Sequence, residues 1–285
     1  MTFTLEKYNG QKSRFTCPSC LKKKSFTRYI NHETGEYLSE IVGRCNREIK
    51  CGYHYKPKDY FLDHPFENRP TNSTHCFKPV KRDINFIEYD LFNQYQKSLK
   101  SNLTTFLEDH FSASKVDWLI HRYYLTRSDY WNGATVFWQV DSCGKIRSGK
   151  VMLYDPNSGK RVKEPFNHIT WVHSVENLYD FNLQQCFFGE HLLSEQKPIG
   201  IVESEKTALI AAGCYPELIW LASGSLSNLT KEKCKPLLGR NVTLFPDKGC
   251  LQNWQQKAAG LGFNISTTLE QSEAKAGSDI ADYLF

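Results

Sequence analysis

The run Pro198-Ile199-Gly200-Ile201-Val202-Glu203 is uncharged until it stops at a carboxylate. A short apolar run of this kind suits a strand buried on both faces, which hands its last side chain to the strand's carboxyl end. Residues 204–213 follow as a helix with a glycine stop, and two more such runs come later, residues 218–224 and 241–247, the second ending on Asp247. Strands alternating with helical stretches fold into a parallel sheet. In an open parallel sheet ligands bind beyond the carboxyl ends of the strands, which is where Glu203 and Asp247 are placed. Two carboxylates converging there suit a hard divalent cation such as magnesium.

The other strong signal is a set of cysteines near the start of the chain. Cys17-Pro18-Ser19-Cys20 is a C-x-x-C knuckle, and Cys45 and Cys51 return after a gap of 24 residues. Four thiolates from two short elements close a tetrahedral zinc shell, a structural site with no open position for chemistry. The second knuckle is wider than usual, so His54 and His32 stand as alternatives to one cysteine. Residues 25–30 read as a strand, 34–36 as a turn and 37–44 as the returning strand of a zinc ribbon, a module too small to fold without its metal. Lysines and arginines crowd the knuckles, Arg28 and Arg44 among them, and Phe26, Tyr29, Tyr53 and Tyr55 lie nearby. Cations for phosphates and rings for bases suit single-stranded nucleic acid; the alternative is a solvated basic face over aromatics that pack a small core.

Ten cysteines in a chain whose first residues carry no signal-peptide apolar region favour metal over disulfides and a cytoplasmic location. No apolar stretch is long enough for a membrane span. A net charge of +5 permits nucleic-acid binding without requiring it. Residues 62–83, polar and proline-rich, read as a linker. Beyond them Ile87, Leu91, Tyr95 and Leu99 recur at spacings of four, as on one helix face. Residues 135–141 and 146–154 switch to a β-hairpin, and residues 157–161 make a further turn. The expected organisation is therefore a zinc ribbon over 1–61, a linker over 62–83, a helical and hairpin subdomain over 84–194 and a parallel-sheet domain over 195–285.

The motif Val202-Glu203-Ser204-Glu205-Lys206-Thr207-Ala208, followed by Asp247, resembles the toprim domain of primases, topoisomerases and some nucleases. In that family a later strand ends in D-x-D; here Asp247-Lys248-Gly249 has glycine in the second place. Asp279 and Asp282 resemble the third acidic motif of primases, one residue wider than the usual pair. The hairpin and the helices before it are similar to the subdomain that precedes toprim in bacterial-type primases. The resemblance covers most of the chain. It implies an α/β fold with an N-terminal β zinc ribbon and a primase-like core ending in toprim. It further implies Glu203, Asp247 and Asp279 as ligands of magnesium or manganese, with Asp282 in reserve. Lys145, Arg147, Lys150, Lys160, Arg161 and Lys163 would form the basic side of a cleft that holds nucleotide or template, and Lys206 would neutralise phosphate or pair with Asp247. Glu205 is read only as favouring the positive end of its helix.

The activity so implied is synthesis of short RNA primers on a single-stranded DNA template from nucleoside triphosphates, in the replication of a mobile element or phage. A replicative helicase is a candidate partner, but no helicase domain is expected within the chain. The alternatives are a toprim nuclease and a single-strand binding protein that retains the fold without the chemistry.

Overall fold

The computed structural model describes residues 3–64, apart from 33 and 49, and residues 83–284. The expected linker falls almost wholly on residues 65–82, outside the described residues. The chain divides into two compact units, Met1–Pro79 and Val80–Phe285.

The first unit is a four-stranded antiparallel sheet in the order β1-β2-β3-β4, with β1 at Phe3–Leu5, β2 at Phe26–Asn31, β3 at Gly43–Cys45 and β4 at His54–Tyr55. Helix α1 (Pro57–Asp63) follows, with its proline in the first turn, where no amide partner is needed. The ribbon hairpin expected at 25–30 and 37–44 is present, but its second arm is short. Tyr37 makes only a bridge to Ile30 before β3 begins at Gly43. The fully buried apolar residues here are Cys17, Phe26, Val42 and Cys45, with Phe15 and Tyr53 packed against the cysteine cluster. A core this small holds a fold only when something links the thiols.

The second unit holds two sheets. The first is antiparallel, in the order β5-β6-β7-β8: β5 Thr126–Ser128, β6 Ala134–Val140, β7 Ile146–Met152 and β8 Ile169–Trp171. Helices α2 (Tyr89–Tyr95), α3 (Asn102–Glu108), α4 (Ala113–Arg122) and α5 (Val172–Val175) surround it. Strand β6 is buried at every position. Its Val136, Trp138 and Val140 face a cluster with Ile87 and Phe92, while Phe137 on the opposite face joins the main core. The single helix face expected from Ile87 to Leu99 is not formed. Helix α2 covers only its middle, and Ile87 lies before it, its amide donating to the Ile146 carbonyl and its side chain buried in the cluster with Trp138 and Val140. A spacing of four states only that such residues could share a helix face; here the first is held by a bond to the end of β7.

The second sheet is wholly parallel, in the order β10-β9-β11-β12, with β9 at Ile199–Val202, β10 at Ile219–Ala222, β11 at Val242–Leu244 and β12 at Asn264–Ile265. Helix α6 (Glu205–Cys214) connects β9 to β10, α7 (Leu251–Ala258) connects β11 to β12, and α8 (Thr268–Gln271) lies beyond. Ser204 caps α6 by accepting from the Thr207 amide. Gly200 has no side chain because the Trp220 ring on β10 lies where one would be: a Cβ would stand 2.6 Å from Cζ3. Both sheets share one core. Phe137, Met152 and Tyr154 of the hairpin region pack with Ile199, Ile201 and Trp220 of the parallel sheet.

The strand order reverses between β9 and β11, since the chain leaves β9 towards β10 and returns to the other side as β11. Ligand crevices of open α/β sheets lie at such a switch, outside the carboxyl ends of the strands. Glu203 is the residue after β9, and Asp247 lies three beyond β11.

Candidate active-site cleft and zinc centre

A cleft of about 570 Å³ opens at this switch point. Its acidic wall carries Glu203, Glu205, Asp247 and Asp279. Its basic wall carries Lys150, Lys160, Arg161, Lys163 and Lys206. The basic residues come mainly from β7 and the turn after it. Lys150, Met152 and Tyr154 alternate along the chain, so all three face the cleft. The following turn is closed by Asp155, whose Oδ1 accepts from the amide and hydroxyl of Ser158. The bridge between Tyr154 and Arg161 then returns Lys160 and Arg161 to the rim.

Lys145 and Arg147, expected on the same wall, do not line this cleft. The Lys145 ammonium stands 5.9 Å from the Phe86 ring, and Arg147 Nε donates to Asp141 Oδ2 at 2.7 Å. Lys206 does not pair with Asp247; its Nζ donates to the Gly159 carbonyl at 3.2 Å. Asp282 caps the last turn of the chain by accepting from the Asp279 amide. Asp279 is itself the reciprocal cap, with Oδ1 accepting from the Ala281 and Asp282 amides and Oδ2 from the Thr207 hydroxyl of α6. That last bond ties the final turn to the helix that follows Glu203.

Glu205 is the residue that sequence reasoning undervalued. It is 2% exposed and its two oxygens accept from Lys150 Nζ at 2.9 and 3.2 Å. The sequence signalled its burial, though not its partner: Ala208-Leu209-Ile210-Ala211-Ala212 makes α6 apolar all round, the mark of an interior helix, and residues 207–213 are indeed buried. An acid in its first turn is then inside as well and needs a cation.

Asp247 carries the clearest electrostatic mark. Burial, reinforced by the charges of Glu203, Asp279 and Asp282, raises its pKa to about 7. Carboxylates that push one another up in this way are stabilised by a bound cation, and their hard oxygens suit magnesium or manganese. Glu203 and Asp247, on adjacent strand ends, would hold such an ion, with Asp279 completing the set through whatever its capping bonds leave available. Among the described residues, only the four cysteines form a group of three or more ligating side chains with all donor atoms within 4.8 Å of one another. The three acids therefore share the cleft at wider separations.

The cysteines meet the zinc requirement directly. Cys17 Sγ lies 3.8 Å from Cys51 Sγ, and Cys20 Sγ 4.0 Å from Cys45 Sγ. A tetrahedral shell with Zn–S near 2.3 Å places its sulfurs roughly 3.8 Å apart. The Tyr53 amide lowers the Cys51 thiol while burial raises that of Cys45, the opposed shifts of thiols crowded into one site. The histidines do not compete. His54 stacks on Tyr29 and bonds its hydroxyl, and His32 Nε2 bonds Thr4 Oγ1. On the ribbon surface Arg28 covers the Phe15 ring at 4.0 Å and Arg44 pairs with Glu48 at 3.3 Å. Phe26 is fully buried and belongs to the core rather than to a stacking surface.

Residues 101–248 match the model of a family described as a domain of unknown function, DUF6371, and the chain belongs to that family. Residues 1–66 match a zinc beta-ribbon finger model. Three of the structural neighbours are primase structures or complexes that contain primase domains. The primase fragment of the bacteriophage T7 primase-helicase protein is 14% identical, with a TM-score of 0.39 over 94% of this chain and 92% of that one. The RNA polymerase domain of Mycobacterium tuberculosis primase DnaG is 10% identical, with a TM-score of 0.41 over 68% and 75%. A third neighbour, also 14% identical, comes from a complex of T7 lagging-strand DNA polymerase with primase domains of two gp4 subunits bound to an RNA/DNA hybrid and dTTP. Its TM-score is 0.38 over 58% of this chain and 79% of that one. No curated protein matches the chain in sequence. Among the described residues, no helix is long and apolar enough to cross a membrane.

Proposed function

We propose that the protein is a toprim-type, metal-dependent nucleotidyltransferase that binds single-stranded DNA and makes short RNA primers on it. One observation carries this reading: Glu203, Asp247 and Asp279 face Lys150, Lys160, Arg161, Lys163 and Lys206 across a single cleft at the switch point of a parallel sheet. Phosphoryl transfer asks a protein mainly for positioning and charge neutralisation. The basic wall would hold the triphosphate and the template backbone through charge and paired hydrogen bonds. Magnesium or manganese held by Glu203, Asp247 and Asp279 would supply neutralisation of charge on the transferred phosphoryl group. The Lys150–Glu205 pair would fix one ammonium at the floor of the cleft, so that its position is set before substrate arrives. The zinc ribbon would read the template with the basic surface that includes Arg28 and Arg44. The host replicon would be a phage or mobile element, with a replicative helicase as partner.

A second reading rests on a specific finding. Asp279 and Asp282 cap each other's turn, and glycine stands at 249. A binding protein that keeps the cleft without the chemistry fits those features. Incubation with single-stranded DNA, labelled ribonucleotides and manganese, beside Glu203→Gln, decides. Short products made by the native protein and lost in the variant establish primer synthesis. Glu203-dependent cutting of the DNA points to the nuclease alternative. DNA binding with neither activity leaves the binding protein.

A further inference from the structure

A second cavity, of about 430 Å³, lies in the same unit and is lined by Arg147, Gln184, Gln185, Asn228 and Lys233 among others. It is linked to the acid cleft through one strand end. Gly224 lines the cleft, while the Ser223 carbonyl beside it accepts from Lys233 Nζ at 2.9 Å. The Gly224 amide in turn donates to the carbonyl of Glu203.

The cavity's polar groups are unevenly used. Its buried acids are committed. Glu190 accepts from the Ser142 and Phe187 amides, one on each oxygen. Asp141, behind the wall, accepts from the Cys143 and Lys145 amides on Oδ1 and from Arg147 Nε on Oδ2. The donors are only partly committed. Arg147 uses Nε on Asp141 and Nη1 on Gln184 Oε1, which leaves Nη2 with no protein acceptor. Lys233 spends one of its three N–H groups on a neutral carbonyl and otherwise lies 4.8 Å from the Phe187 ring. Gln185 Oε1 accepts from Asn228 Nδ2, and Gln184 Oε1 from Arg147, so both glutamines keep their NH₂ groups as donors. Burial also pushes the Lys233 ammonium down to about 8, although Cys186, Glu205 and Glu190 act the other way. Surplus donors, two of them cationic, around a space of this size match the acceptor-only oxygens of a phosphate.

The geometry points to a second anion site: the cavity formed by Arg147, Gln184, Gln185, Asn228 and Lys233 takes a phosphate group, carried by a polynucleotide backbone or by a free nucleotide. It is distinct from the acid cleft and does not depend on a divalent ion. Because Lys233 holds the Ser223 carbonyl, a phosphate that draws on its ammonium also bears on the strand-end loop bonded to Glu203.

The test is equilibrium binding to the zinc-loaded full chain, in buffer without added magnesium or manganese, of two probes: inorganic pyrophosphate and a short oligothymidylate. The variants are Lys233→Met, which keeps length and removes charge, and Gln184→Glu, which keeps shape and sets a carboxylate against the phosphate. Removing a charged hydrogen bond weakens binding about tenfold or more, so both variants are expected to show at least that loss. A loss confined to pyrophosphate assigns the site to free nucleotide phosphates; one that includes the oligothymidylate assigns it to the backbone. Should Lys233→Met fail to fold by circular dichroism, the surface variant Gln184→Glu decides alone. Native-like affinity for both probes in the folded variants, or no binding of either by the native protein, overturns the site. Failure of primer synthesis is a separate result, since the loss on changing Lys233 or Gln184 is read without the divalent ion that the chemistry would need.

Discussion

Glu205 and Lys150 are 55 positions apart in sequence and form a buried ion pair, with side chains 2% and 13% exposed. Removing one partner of such a pair strands the other charge in a poorly solvated site, at a cost of about 3–5 kcal/mol. Glu205→Gln is therefore expected to lower the unfolding free energy, read by urea titration, by an amount in that range, while the double variant Lys150→Met/Glu205→Leu recovers most of it. Asp247 makes the opposite kind of prediction. Its folded pKa, about 7, lies above its ordinary value of 3.8. Its contribution to stability is therefore intact at low pH and is lost as the pH rises through that window. A divalent ion binds the carboxylate form, so its binding releases a proton below pH 7. Manganese is accordingly expected to raise the melting temperature more at pH 8 than at pH 6, and Asp247→Asn to abolish that difference. Scanning fluorimetry at the two pH values checks both. Glu203 and Asp247 were legible in the sequence because each ends an apolar run. The role of Glu205 was not, because its partner comes from another sheet.

At the scale of elements, β6, β7, β9 and α6 were readable because each carries a strong local pattern, of alternation, of continuous apolarity, or of a cap followed by an interior helix. Strand β1 was not. Its three residues have no pattern of their own and become a strand only by pairing with Tyr29, Ile30 and Asn31. The stretch from Ile87 to Leu99 was misread for a related reason. Its period of four was real, but the hydrogen bond from Ile87 to Ile146 holds its first residue against β7, ahead of the helix. Close approach between β9 and β10 gives a test at this scale. A methyl at Gly200 would meet the Trp220 ring within 2.6–2.7 Å. Gly200→Ala is expected to cost about 1–3 kcal/mol by overpacking, read as a drop in urea midpoint. Because Gly200 lies on the strand that presents Glu203 at its carboxyl end, loss of metal response should accompany it.

At the scale of the whole molecule, the two units rest on different forces. The parallel and antiparallel sheets of the second unit share a continuous apolar core, whereas the first buries only a small cluster built around its cysteines. Zinc binding in such modules is folding free energy. Chelation is expected to release zinc and to abolish amide-exchange protection in residues 3–64, while protection persists in β6, β7 and β9. Protection retained in the ribbon after complete zinc removal would refute the dependence.

What the sequence by itself determined is whatever local spacing can specify: the four-cysteine zinc site, the hairpin, the strand-ending acids Glu203 and Asp247, and the class of fold they belong to. What only the tertiary structure decided is which charges meet. It drew Lys150 onto Glu205, tied Asp279 to Thr207 across 72 positions, and sent Lys145 and Arg147 away from the acid cleft. The physical reason is that a strand's alternation states which residues share a face, but not what lies opposite that face. Facing partners are chosen by the packing of two sheets on one core, and that packing is a property of the whole chain.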